Sequence, residues 1–115
     1  MNFTRGDTHK FKFHRLDANQ EIIETVADEV WFTVKENFNT DVKLIQKTLT
    51  AGEITFDDQH YYHVTIEGSD TSGFTYNKLY VYDIQVMQSG VIKTIAKGTI
   101  SVTEEVTFEV GVQNG

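Results

Sequence analysis

Apolar and polar side chains alternate with a period of two along most of this chain, the pattern of strands that bury one face. Over residues 8–15, Phe11 and Phe13 fall on one side and Lys10, Lys12 and His14 on the other. Asp17-Ala18-Asn19-Gln20 predicts a turn, because short polar side chains bond to nearby backbone. The alternation returns over residues 29–36, with Val30, Phe32 and Val34 inward and Trp31, Thr33 and Lys35 outward. An outward Trp31 predicts a cover for it, either a neighbouring loop or another chain. Residues 37–41 interrupt, and the next strand is expected over 42–49. There the adjacent Leu44 and Ile45 must point to opposite sides.

Ala51-Gly52 predicts a turn into a short strand carrying Ile54 and Phe56, and Asp57-Asp58-Gln59-His60 connects it to a strand over 61–67. Residues 68–73 read as a loop holding one helical turn, capped by Ser69 or Asp70. The strongest strand spans 79–88. Tyr80, Tyr82, Ile84 and Val86 line one side, Leu79, Val81 and Met87 make the other partly apolar, and this predicts a central position. Ser89-Gly90 turns the chain into 91–96, and Gly98 predicts a bulge or break before 99–103. Val106, Phe108 and Val110 form a last apolar patch. Eight or nine short strands, with turn signals roughly every 8–12 residues, predict an antiparallel two-sheet sandwich. The expectation is a single all-β domain over residues 1–110 and a flexible tail at 111–115.

Composition agrees. Fifty of the 115 residues are Val, Ile, Thr, Phe, Tyr or Trp, against ten Ala, Leu and Met. The net charge of −7 argues against nucleic acid and anionic membranes as partners. Without cysteine the chain has no disulfide, thiol nucleophile or thiolate metal site. No apolar run approaches the ~20 residues of a spanning helix, so membrane insertion is not expected. The polar start Met1-Asn2-Phe3-Thr4-Arg5 does not read as a signal peptide.

Candidate chemistry is sparse. Arg5-Gly6-Asp7 spells an integrin-recognition tripeptide, but the simpler reading is a tight turn with Gly6 at positive φ. His60 and His63 lie near Asp57 and Asp58, yet on a strand the two histidines face opposite ways, which disfavours a shared metal. Asp83, inside the strongest strand, is expected to face outward and bond to a cross-strand Thr or Lys. Phosphate loops, nucleophile elbows and metal-ligand helices are missing from the sequence, so no enzyme activity, metal or cofactor is expected. Core packing absorbs Tyr62, Tyr80 and Tyr82, and Tyr76 or Tyr80 suits a corner hydrogen bond of the sandwich kind. Trp31, Phe38 and Tyr61 remain as interface candidates.

One longer arrangement is more specific. Phe3-Thr4-Arg5-Gly6-Asp7-Thr8 opens the chain, then come Phe11 and Phe13, Val30-Trp31-Phe32-Thr33-Val34-Lys35 and Gln46-Lys47-Thr48-Leu49 before a glycine. Asp70-Thr71 precedes Leu79-Tyr80-Val81-Tyr82-Asp83-Ile84, and Gly98-Thr99-Ile100-Ser101-Val102-Thr103 follows. This order resembles the small structural modules of phages and prophages, in particular the immunoglobulin-like N-terminal domain of siphophage baseplate upper proteins. The resemblance implies an immunoglobulin-like sandwich in a virion (baseplate, tail or fibre), or in the host cytoplasm before assembly. It also implies other phage structural proteins as partners, and assembly as a homo-oligomer. Two rival readings are a carbohydrate-binding module using exposed rings on cell-surface or cell-wall glycans, and a hydrolase on a jelly-roll scaffold. The strand parities do not supply the His/carboxylate cluster that a hydrolase needs.

Overall fold

The computed structural model describes residues 1–103, so the patch at Val106, Phe108 and Val110 and the predicted tail at 111–115 lie outside the described residues. Eight strands form in order: β1 (Asn2–Thr4), β2 (His9–Phe13), β3 (Glu29–Lys35), β4 (Ile45–Thr48), β5 (Ile54–Phe56), β6 (Tyr62–Ile66), β7 (Leu79–Gln88) and β8 (Val91–Thr103). A single helical turn, α1 (Gly68–Thr71), follows β6. One sheet runs β1-β8-β7-β3-β4 and the other β2-β6-β5. The strongest predicted strand, β7, is the central one of its sheet.

This is the strand order of an immunoglobulin-type sandwich. The β8-β7-β3 run faces β2-β6-β5, and β4 is added beside β3. The pairing is antiparallel except at β1, which lies parallel to β8 with Phe3 opposite Val102. The turn through Arg5 and Gly6 carries the chain from one sheet to the other. β1 therefore has no hairpin partner and pairs with the last strand. Tyr80 makes the expected corner bond, its hydroxyl accepting from the Thr75 amide at 2.8 Å.

Core packing follows the predicted parity at Val30, Phe32, Val34, Tyr62, Val64, Ile66, Ile84 and Val86, and Ile100 and Val102 are buried with them. Without cysteine, the sheets are joined through rings. Phe11 on β2 meets Phe32 on β3 edge-on at 5.2 Å, and Phe32 meets Tyr82 on β7 at 5.8 Å. Tyr82 in turn packs closely over Gly98. A side-chain carbon there would lie 3.1 Å from the Tyr82 ring, so Gly98 stays in the ladder opposite Tyr82. The irregularity predicted at Gly98 occurs three residues earlier. Ile84 pairs with Ala96 and Gln85 with Thr94, which leaves Ile95 as the extra residue.

Several turns form as their side chains dictate. Asp17 Oδ1 accepts from the amides of Asn19 and Glu21, and Asp57 Oδ1 from those of Gln59 and Tyr61. Ser89 and Gly90, both at positive φ, close the β7–β8 hairpin. Two local expectations are corrected. The predicted strand over 42–49 is only β4, since Leu44 stays exposed while Ile45 turns inward. The helical turn begins after Glu67, whose amide donates to Asp70 Oδ2 at 2.7 Å, so Asp70 reaches back from within the helix to satisfy its start.

Candidate functional site

The outer face of the five-stranded sheet carries a row of outward apolar side chains. Register sets its rows. On β3 lie Trp31, Thr33 and Lys35, and opposite them on β7 are Gln85, Asp83 and Val81. Met87 and Ile92 extend the face along the β7–β8 hairpin, and Leu79 lies at its other end opposite Ser101. Leu79 and Ile92 are both exposed. Trp31 sits between Gln85 and Thr48 and is half-buried by its own sheet.

Phe38 reaches the same face from the loop after β3. With Thr33, Lys35, Val81 and Asp83 it lines a shallow hollow, and the Lys97 ammonium stands 5.7 Å from the ring centre. Its ring is still 53% exposed. Thr33 is buried under this arrangement and accepts from Gln46 Nε2 at 3.2 Å. Asp83 departs from expectation. It faces outward, with Thr33 and Lys97 as register neighbours, but Oδ1 is buried without a hydrogen-bond partner among the described residues. The expected bond to a cross-strand Thr or Lys is not made.

Tyr61 lies elsewhere, on the outer face of the three-stranded sheet. Its ring stacks on His14 with centres 3.6 Å apart, and Lys12 Nζ approaches its face at 4.2 Å. Beside it His63 Nε2 and Asp57 Oδ2 pair at 2.7 Å. The His63 contact, with the Tyr61 and Gln59 amides, holds the Asp57 carboxyl down at about 2. The structure thus brings Trp31 and Phe38 together and leaves Tyr61 on the opposite side of the molecule. Among the described residues no three His, Asp or Glu side chains converge as metal ligands. No protein-family model matches the chain, and no characterised protein is significantly similar to it in sequence.

The Arg5-Gly6-Asp7 tripeptide forms a turn in which Gly6 and Asp7 are exposed and Arg5 is half-buried. Gly6 has φ +89°, and the Asp7 amide donates to the Thr4 carbonyl at 3.1 Å. Arg5 donates to the Phe74 carbonyl and the Tyr76 hydroxyl, with its guanidinium 4.0 Å from the Tyr76 ring centre. Gly68 is required beneath this turn, since a side-chain carbon there would stand 2.2 Å from the Gly6 carbonyl oxygen.

Other polar features escape a reading by pattern. Glu29 is almost buried, and its carboxylate accepts from the Val30 amide and from the Thr50 amide and hydroxyl. Burial alone would raise its pKa, but these bonds outweigh it and hold the group below the usual value. Lys47, paired with Phe32 on the inward side of β4, meets Asp70 of α1 at 2.9 Å. The signal for Lys47 was parity, as it lies two residues from the inward Ile45. Arg15 carried the same signal, standing two residues beyond Phe13 on its side of the strand, and it too is buried.

Proposed function

We propose that this domain is a non-enzymatic structural module of a phage or prophage particle that works by protein–protein contact through the outer face of β8-β7-β3-β4. The observation carrying the reading is that Trp31 and Phe38 share that face with Leu79, Val81, Met87 and Ile92. Aromatic residues and Met are the side chains that contact surfaces concentrate, and the lysines at 35 and 97 supply a polar rim. The immunoglobulin-type strand order and the phage-module resemblance support the setting. The partners are other structural proteins of the particle and further copies of this chain. Meeting a copy face to face, the sheet makes a two-fold contact in which each Trp31 is presented to the same patch on its partner.

Sedimentation velocity of the full chain across a concentration series tests this. A reversible dimer weakened by Trp31→Ala with Phe38→Ala is expected. A monomer at every concentration, unaltered by those changes, overturns self-assembly through this face. Binding of cell-wall polysaccharide that quenches Trp31 fluorescence and is lost in Trp31→Ala would replace the reading with a glycan-binding one.

A further inference from the structure

The β7–β8 hairpin outruns the sheet that should cover it. From Val91 to Ile95 every residue is exposed, whereas Ile100 and Val102 farther along the same strand are buried. Opposite the hairpin's inward side stands the connection between β2 and β3, and a cleft of about 470 Å³ lies between them. Leu16 and Ile23 form one wall, and Val86, Val91 and Ile95 the other.

Arg15 enters this cleft from just beyond β2 and is only 8% exposed. Its Nη2 donates to the Thr25 carbonyl at 2.7 Å and to Gln88 Oε1 at 3.0 Å. Nε is buried with no partner, and Nη1 makes no hydrogen bond among the described residues. No carboxylate there forms an ion pair with the guanidinium. The acidic residue on the rim, Asp17, accepts from the Asn19 and Glu21 amides at Oδ1 and forms no ion pair with Arg15. Gln88 passes a weak link on to Asp28, Nε2 to Oδ1 at 3.5 Å. Lys93, opposite Val86 on β8, adds a second cation without an ion pair among the described residues.

A buried guanidinium without a counter-ion is costly, and the cost falls when an anion reaches it. We propose that the cleft binds a small organic monoanion, a carboxylate carried on an apolar body. Arg15 and Lys93 take the carboxylate, and Leu16, Ile23, Val91 and Ile95 cover the body. The volume suits a small-molecule site, which typically spans roughly 300–1,000 Å³. The apolar walls offer nothing to a bare inorganic anion. The chain's charge of −7 disfavours a doubly charged phosphate more than a singly charged carboxylate.

Titrating the full chain with octanoate, and with octanol as the same body without charge, tests the site through backbone amide shifts in NMR spectra. Octanoate is expected to saturate about tenfold tighter than octanol. Its shifts should centre on residues 15–23 and 86–95, and added salt should weaken octanoate alone. Arg15→Met is expected to bring octanoate down to the affinity of octanol. Should that variant fail to fold, the exposed Lys93→Gln and Ile95→Glu each test one half of the site, the charge and the wall, and each should weaken octanoate severalfold. Octanoate binding no tighter than octanol, shifts centred elsewhere, or affinity indifferent to the folded variants overturns the proposal.

Discussion

Tyr61, beside the start of β6, and Trp31, in the middle of β3, are both large rings on outward positions, one on each sheet. Tyr61 is held by its own surroundings: His14 stacks on it, Lys12 covers it, and the Asp57–His63 pair stands alongside. Trp31 has only Gln85 and Thr48 beside it in register, and no aromatic or cationic partner among the described residues. Position on a strand makes an aromatic face outward. Whether it is available to another molecule depends on what its own sheet places around it. By that criterion the face of Trp31 and Phe38 offers contact area, and the face of Tyr61 is a finished surface.

The comparison assumes two sheets locked together, and the largest effect is expected where that lock is removed. Phe32→Ala takes out the middle ring of the Phe11–Phe32–Tyr82 series and should cost about 3–5 kcal/mol in urea unfolding. Next in size is the contrast between the outer faces. Trp31→Ala with Phe38→Ala should weaken self-association about tenfold or more, while Tyr61→Ala should leave the sedimentation profile unchanged. Equal effects from the two faces would erase the distinction. A smaller change of opposite sign is expected at Asp83. Asp83→Thr removes the unpartnered carboxylate and places a β-branched side chain opposite Thr33, which should raise stability by about 1 kcal/mol.

The smallest effect concerns pH on the Tyr61 side. Asp57 is held at about 2, below its ordinary 3.8, so its contribution is fully present above 3.8 and is lost as pH falls through 2. Asp57→Asn should therefore show a smaller fall in melting temperature between pH 4 and pH 2 than the native chain does. An equal fall in both would mean that the His63 pairing contributes nothing to the folded state.

Much of this fold could be read from alternation alone, because a sheet with one buried face leaves no freedom of side. Val30, Phe32 and Val34, and equally Tyr62, Val64 and Ile66, had to point inward once their strands were recognised. Turns were legible where a side chain closes them, as Asp17 and Asp57 do. Features set by partners distant in sequence were not. Gly98 looks like a strand breaker until the Tyr82 ring is placed against it, and the extra residue at Ile95 is visible only from the β7 register. The side of the molecule reached by Phe38 depends on the path of a loop, so Trp31, Phe38 and Tyr61 read as one set when they are two. Arg15 shares the parity of Phe11 and Phe13, but its partners stayed hidden because they come from the β2–β3 connection and Gln88, far apart in the chain.

The rim of the larger sheet limits how copies can meet. On one border the three-residue β1 covers only Ser101–Thr103 and leaves the outer edge of Val91–Ile100 of β8 without a strand partner among the described residues, and the other border is β4, where Lys47 turns under the sheet to pair with Asp70. A short border, or one with an ammonium tucked beneath it, makes a poor template for another backbone. Growth by adding strand to strand, the route to ribbons and fibres, is thereby hindered at β1 and β4 and left to the open run of β8.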